Sequence, residues 1–230
     1  MWVVALLGMA TSFAESTLAQ VFKVRSADGI FRGGPAYYMQ RGLGLRGGSG
    51  LSRLGRIMGV VFAAMLVFSY GLIFPMVQSN TIALTLQEGH GVGTTVTAIA
   101  LMAITAPILL SGMRVVARVT EWLVPLMAVA YLGVVLVVII VSAPRVPGVL
   151  VDIVAGAFHL KAGLAGTAGG FFATFLNGTK RGLFSNEAGQ GSSPNGAATA
   201  DVAHPVTQGL IQALGVFIDT IVICTATGLT

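Results

Sequence analysis

The stretch GLAGTAGGFFATFLNGTKRGLFSNEA, Gly163 to Ala188, is largely apolar but is interrupted by glycines, polar residues and two adjacent cations. An unbroken helix of about 20 apolar residues can cross a bilayer because its backbone hydrogen bonds are all internal. Glycines and polar groups inside such a run indicate backbone left free to hold a solute, as in the broken helices of transporters. We therefore predict a membrane helix that is broken near Asn177, Gly178 and Thr179.

The composition of the whole chain agrees with a membrane location. Apolar residues make up 55% of the 230 residues and charged residues only 9%, whereas soluble domains are about a quarter charged. The net charge of +5 does not indicate a nucleic-acid partner, because the basic residues lie between apolar runs and are not interleaved with aromatics. We predict an all-α integral membrane protein whose partner is the lipid bilayer.

Hydropathy divides the chain into six candidate transmembrane spans within one transmembrane domain, residues 1–230. Between the fourth and fifth spans, the segment Ser142 to Lys161 contains two prolines, Asp152 and His159, and it predicts a short surface helix. The six predicted spans are Trp2 to Leu18, Ile57 to Leu86, Thr94 to Leu110, Trp122 to Ser142, Ala162 to Leu183 and Thr207 to Thr230.

Basic residues predict the orientation of these spans, since short loops rich in Lys and Arg stay in the cytoplasm. The connections after the first and third spans hold nine basic residues, and the connections on the opposite side hold two, so we expect the chain to start outside. It also opens and closes on apolar runs, and it therefore reads as a piece of a longer transporter, incomplete at both ends. The nine are Lys23, Arg25, Arg32, Arg41, Arg46, Arg53, Arg56, Arg114 and Arg118.

Polar residues inside the spans are the candidates for binding a solute. Gln78 follows Pro75 in the second span and offers both a donor and an acceptor to a zwitterion, although bonding between helices explains it equally well. In the fifth span, Asn177, Gly178 and Thr179 would leave polar groups facing lipid unless the helix opens to water. Freed amides and carbonyls there suit the carboxylate and ammonium of a small amino acid, and Gly182 joins this set.

Asp219 is an ionisable residue within the last span, where it is a candidate cation ligand or proton carrier. Capping by a neighbouring threonine is the alternative, because one carboxylate without known partners is a weak cation site. We place Asn80 with Asp219 in a weaker gating or ion-related group. The sequence has no nucleophile beside a convincing base and no metal-ligand spacing, so we predict no catalytic residues, no metal site and no enzyme activity.

Several motifs resemble those of the alanine or glycine:cation symporter family, also called sodium:alanine symporters. The longest is KRGLFSNEAGQGSSPNGAATADVAHP, at Lys180 to Pro205. The others are AESTLAQVFKVR at Ala14 to Arg25, FRGGPAYYMQRGLG at Phe31 to Gly44, and GVFIDTIVICTATGL at Gly215 to Leu229.

This resemblance implies a LeuT-like fold, the inverted-repeat architecture of amino acid-polyamine-cation transporters, with the six spans as core helices two to seven. It implies sodium-coupled symport of alanine or glycine by alternating access, in a multi-pass protein of the bacterial inner membrane that we expect to be a monomer. Gln78 resembles a substrate contact on core helix three, and Asn177, Gly178 and Thr179 occupy the broken core helix six, where family members often have an aromatic in place of Asn177. No covalent cofactor is implied. Sodium is the coupling ion, and its ligands are expected in the missing helices.

Three alternatives remain open at the level of sequence. A proton-coupled amino-acid permease would share the fold and differ in its coupling ion. An ion channel would tolerate the same polar interruption, but nothing in the chain resembles the ring of a selectivity filter. A membrane enzyme would need catalytic groups at one depth, and Glu187, His204 and Asp219 do not form an obvious set.

Overall fold

The structure is a computed structural model that describes residues 1–27, 29–45, 47–157 and 167–229. Within these ranges the chain is mostly helical, with one short two-stranded sheet, which confirms the all-α class. The elements are α1 (Trp2–Val21), β1 (Val24–Arg25), β2 (Phe31–Arg32), α2 (Pro35–Leu45), α3 (Ser49–Phe68), α4 (Phe74–His90), α5 (Thr94–Leu110), α6 (Met113–Val141), α7 (Val146–Ala157), α8 (Thr167–Asn186), α9 (Ser193–Thr199), α10 (Pro205–Val216) and α11 (Cys224–Leu229).

The chain divides into two compact units. The first unit contains residues Met1–Ala63 and Val135–Thr230, and the second contains Ala64–Val134. Among the described residues, two π-helical segments join consecutive helices without a break: Ser69–Ile73 lies between α3 and α4, and Phe217–Ile223 lies between α10 and α11.

Helix α1 is the packing centre of the first unit, and it contacts α8, α9 and α10. Its buried face consists of small or polar residues, namely Ala5, Gly8, Ser12, Ser16, Ala19 and Gln20. Small side chains allow helix backbones to approach closely. At the crossing with α10, a Cβ built on Gly209 would lie 2.9 Å from the carbonyl oxygen of Phe13, so this position admits only glycine without a backbone shift.

The segment after α1 folds back as a small hairpin. Strands β1 and β2 are antiparallel, with Val24 opposite Arg32, and the Lys23 ammonium lies 4.0 Å from the centre of the Phe31 ring. Helix α2 then packs on α3, where a Cβ on Gly55 or Gly59 would meet backbone carbonyls of α2 at 2.6 and 2.8 Å. The hairpin and α2 are therefore anchored to the same unit as α1.

Burial raises the pKa of Tyr38, on α2, to about 12, and the negative charge of Glu15 adds to this rise. An ordinary tyrosine has a pKa near 10. The Tyr38 phenol therefore keeps its proton throughout the physiological range of pH.

In the second unit, the π-helical turn Ser69–Ile73 immediately precedes Pro75. Proline has no N–H group, so it cannot make the α-helical bond to the carbonyl of Gly71. The N–H group of Phe74 bonds instead to the carbonyl of Ser69, five residues back. Helix α4 then runs to His90 and ends at Gly91, whose φ of +69° is the left-handed conformation that glycine readily adopts.

The helices agree with the positions of the predicted spans. Four helical stretches in the described ranges are long and apolar enough to cross a membrane: Trp2–Val21, Ser49–His90, Val115–Val141 and Pro205–Leu229. The predicted third span coincides with α5, whose 17 residues are shorter than those four. The number of crossings and their orientation stay predictions, as does the assignment to one transmembrane domain.

The fifth predicted span, Ala162 to Leu183, begins outside the described residues and continues in α8. The predicted surface helix is present as α7, Val146–Ala157, whereas His159 and Lys161 lie outside the described residues. The location of α7 relative to a membrane stays a prediction.

Candidate functional site

Helix α8 is continuous through Asn177, Gly178 and Thr179, so the break predicted at these three residues is wrong. A single glycine in a helix costs only about 1 kcal/mol, which the rest of the helix can offset. The chain leaves the helix only after Asn186, at a run of left-handed residues that no α-helix accommodates. These are Glu187, Gly189 and Gly191, with φ of +53°, +81° and +75°.

Two glycines of α8, Gly178 and Gly182, lie on its side facing α1. A Cβ on Gly182 would lie 3.4 Å from Cγ1 of Val4, and a Cβ on Gly178 would lie 3.7 Å from the backbone nitrogen of Met1. Gly182 is buried, and the four-residue spacing brings both glycines to one face. Small residues at this spacing let two membrane helices pack closely. The structure therefore gives Gly178 and Gly182 a packing role.

A groove with a volume of about 710 Å³ runs between α1 and α8. Gly178 and Thr179 line it, together with apolar side chains such as Leu7 and Phe175. The Thr179 hydroxyl is buried and has no hydrogen-bond partner among the described residues. Two of the predicted substrate residues thus line one groove, and the hydroxyl of Thr179 is available to bond to a ligand. Asn177 is exposed on the same helix.

Gln78 and Asn80 lie on α4, in the second unit, and both are exposed. Between them, the Ser79 hydroxyl donates a hydrogen bond to the carbonyl of Pro75. This bond occupies a carbonyl within the turn that Pro75 begins. The substrate role of Gln78 and the gating role of Asn80 stay predictions.

Asp219 is part of a network that joins the end of α8 to the π-helical segment Phe217–Ile223. The Ser185 hydroxyl donates to Oδ2 of Asp219 at 2.6 Å and lies 3.3 Å from Sγ of Cys224. The Thr220 hydroxyl donates to the same carboxylate oxygen at 3.3 Å. Capping by a neighbouring threonine, the alternative drawn from the sequence, is therefore present, but Ser185 makes the shorter bond.

A second link connects the same two elements. Nδ2 of Asn186 donates to the Thr220 hydroxyl at 3.0 Å, and Oδ1 of Asn186 accepts from the backbone N–H of Ala188. Thr220 is fully buried. The carboxylate lies in a π-helical segment, and such segments often occur at functional sites.

The loop after α8 is bound to α1 by polar contacts that sequence reasoning did not find. The backbone N–H of Gly189 donates to Oε2 of Glu15 at 3.1 Å. Nε2 of Gln20 donates to the carbonyls of Ala197 and Ala200 at 2.5 and 3.0 Å, and Nζ of Lys23 donates to that of Ala200 at 2.8 Å. The signal in the sequence was the placement of Glu15 and Gln20 among small residues of an apolar helix.

Comparison with known proteins places this chain in a family. The model of the sodium:alanine symporter family matches residues 1–230. The amino-acid carrier protein AlsT of Bacillus subtilis is 49% identical over 99% of this chain and 46% of its own length. The probable sodium/glutamine symporter GlnT of the same organism is 45% identical over 99% of this chain and 45% of its own length.

A relative from an archaeon extends the comparison. The sodium/alanine symporter AgcS of Methanococcus maripaludis is 38% identical over 100% of this chain and 49% of its own length. The chain spans about half the length of these curated relatives. Since the family model covers the whole chain, this protein belongs to the sodium:alanine symporter family.

Proposed function

We propose that the protein containing this chain is a secondary transporter that couples downhill sodium entry to uptake of a small neutral amino acid, alanine or glycine. The observation that carries the proposal is the match of the sodium:alanine symporter family model to all 230 residues. Sodium binding favours an outward-open state that accepts the substrate, and the loaded state closes and opens inward.

The architecture that goes with this function is the LeuT-like inverted repeat, in a multi-pass protein of the bacterial inner membrane. The six helical regions over the predicted spans would be core helices two to seven, with the chain entering from outside. The packing of α1 against α8 and α10 supports a core in which these helices surround a shared pathway. The protein works as a monomer in this proposal.

The substrate lies beside α8 in our proposal, and the substrate contact predicted for Gln78 of α4 is tested separately. The groove at Gly178 and Thr179 supports this placement, because glycine allows close approach to the backbone and the Thr179 hydroxyl lacks a protein partner among the described residues. A hydroxyl can donate to the carboxylate of an amino acid or accept from its ammonium. Asn177 is exposed and is not among the residues that line this groove, so its substrate role stays a prediction from the sequence.

Glutamine is the second candidate substrate. The relative named a probable sodium/glutamine symporter is 45% identical to this chain, compared with 38% for the relative named a sodium/alanine symporter. The polar Asn177 is compatible with an amide side chain, which needs both a donor and an acceptor.

Uptake of labelled alanine into proteoliposomes that contain the full-length protein tests the proposal. We expect saturable uptake that needs an inward sodium gradient, with unlabelled glycine and glutamine added separately as competitors. Stronger competition by glutamine than by glycine would replace alanine with the second candidate. Uptake driven by a proton gradient alone would identify a proton-coupled permease, and flux without saturation would identify a channel.

The variant Gln78→Ala tests the proposed substrate contact on α4. We expect the concentration of alanine at half-maximal uptake to rise about tenfold, because a hydrogen bond to a charged group contributes about 1.5–3 kcal/mol. The matched control is Gln87→Ala, at another exposed glutamine of the same helix. An unchanged concentration dependence in Gln78→Ala would remove this residue from the substrate site.

A further inference from the structure

A polar cavity of about 200 Å³ lies next to Asp219 in the first unit, apart from the groove at Thr179. Oxygen-bearing side chains line it from α1, from the end of α8 with the loop that follows, from the start of α9, and from the segment that carries α10 into the π-helix. The lining includes Ser12, Ser185, Glu187, Ser193, Gln212 and Asp219.

The charge of this lining is negative. It contains the carboxyl groups of Asp219 and Glu187, and it contains no Lys, Arg or His side chain from the described part of the chain. Asp219 is flanked on both sides by apolar residues of the stretch Pro205–Leu229, where an unpaired carboxylate is costly. A cation in the cavity would remove this cost.

The hydrogen bonds of Asp219 leave part of its carboxylate available. Ser185 and Thr220 both donate to Oδ2, and no described residue donates to Oδ1. Two hydroxyl donors on one oxygen match the role of an ionised carboxylate, which only accepts hydrogen bonds. The second oxygen is thus left for a ligand rather than for the protein.

A second, independent observation concerns Ser193, which lines the same cavity. The hydroxyl oxygen of Ser193 is buried and has no hydrogen-bond partner among the described residues. Ser12, which also lines the cavity, is only 1% exposed. Buried hydroxyl groups normally have partners, and one that has no protein partner is expected to contact a water or an ion.

We propose that this cavity binds a monovalent cation, sodium, with the Asp219 carboxylate as its charged ligand and the oxygens of Ser12, Ser193 and Gln212 as neutral ligands. Hard cations prefer such oxygen ligands. The inference deepens the proposed function by assigning one sodium site to this half of the transporter. A fixed anionic site between α1, α8 and α10 would make the arrangement of these helices depend on sodium, as coupling requires.

Equilibrium binding of radioactive sodium to the purified full-length protein tests this site without transport. We expect Asp219→Asn to weaken sodium binding at least about tenfold, because it removes the only charged ligand that the proposal uses while Ser185 can still donate to the amide oxygen. The matched control is Asp201→Asn, which neutralises an exposed carboxylate outside the cavity and is expected to bind as the wild type does.

Ser193→Ala is the second variant, in case Asp219→Asn fails to fold. It removes a hydroxyl that has no described protein partner, so we expect wild-type thermal stability and a several-fold loss of sodium affinity. Wild-type sodium affinity in both folded variants would overturn the site. If the wild type binds sodium through Asp219 but takes up alanine without a sodium gradient, the result supports the sodium site and contradicts the proposed symport.

Discussion

Helices α1 and α6 are both apolar, but they differ in how much of their surface the protein covers. The stretch Val115–Val141 within α6 is the more apolar of the two, yet only 6% of an 18-residue window of it is buried, compared with 28% of such a window of Trp2–Val21. The buried residues of α1 are small or polar, whereas large aliphatic residues such as Leu126 and Val129 of α6 stay exposed.

The difference teaches that hydropathy does not identify the packed helix in a membrane protein. Lipid is as apolar as leucine, so burying leucine against protein gains little, and helix contacts form through small and polar residues instead. By this rule the polar and glycine-rich helices α1, α8 and α10 form the packed interior of the first unit. The large apolar residues of α6 are then suited to contact with lipid.

The largest effect on stability that we expect is at Gly209, and it tests this comparison directly. The variant Gly209→Leu should lower the free energy of unfolding by about 3 kcal/mol, since the new side chain meets the backbone of Phe13 and the hydroxyl of Thr17. The matched control is Gly133→Leu in α6, where nothing lies within 4 Å of a Cβ and helix propensity improves. Thermal unfolding of the full-length variants in detergent measures both.

Equal losses of stability at the two glycines would break the comparison. They would mean that the face of α6 around Gly133 is packed as tightly as the crossing of α1 with α10.

A smaller effect is expected at Gln20, where the buried side chain of α1 binds the carbonyls of Ala197 and Ala200. Gln20→Ala should cost about 2 kcal/mol, because it removes the two hydrogen bonds that the buried side chain donates. The control is Gln87→Ala, at an exposed glutamine of α4 that should tolerate the change. Limited proteolysis gives a local readout, since faster cleavage within α9 in Gln20→Ala alone would show that this contact holds the segment.

The sequence predicted the helices well because span length and hydropathy are local properties. The bounds predicted for the third span, Thr94 to Leu110, coincide with α5. The prediction of a break at Asn177–Thr179 was wrong. Polar composition favoured the break there, but one glycine and its polar neighbours can still be accommodated in a helix. The left-handed conformations at Gly189 and Gly191 have a signal in the sequence, since glycine readily adopts them, but that of Glu187 has none.

The polar network at Asp219 could not be predicted in full for a different reason. Ser185 and Asp219 are 34 residues apart, and only the crossing of α8 with the π-helical segment brings them within 2.6 Å. Sequence reasoning could identify Asp219 as unusual in an apolar span, but it could not supply the partner. The contacts of Gln20 with α9, which link residues about 180 positions apart, depend on tertiary packing in the same way.

The smallest effect on stability is expected at Thr179, and this variant gives the most direct test of substrate binding at the groove. Thr179→Val replaces a buried hydroxyl that has no described partner with a methyl group of similar size, so the free energy of unfolding should change by less than about 0.5 kcal/mol. The control is Thr105→Val in α5, where the hydroxyl donates to the carbonyl of Leu101 at 2.7 Å and is exposed. If the hydroxyl binds substrate, the concentration of alanine at half-maximal uptake should rise about tenfold in Thr179→Val and stay unchanged in Thr105→Val. Unchanged uptake in both variants would contradict the placement of the substrate at the groove, and the glycines of α8 would then serve only to pack that helix against α1.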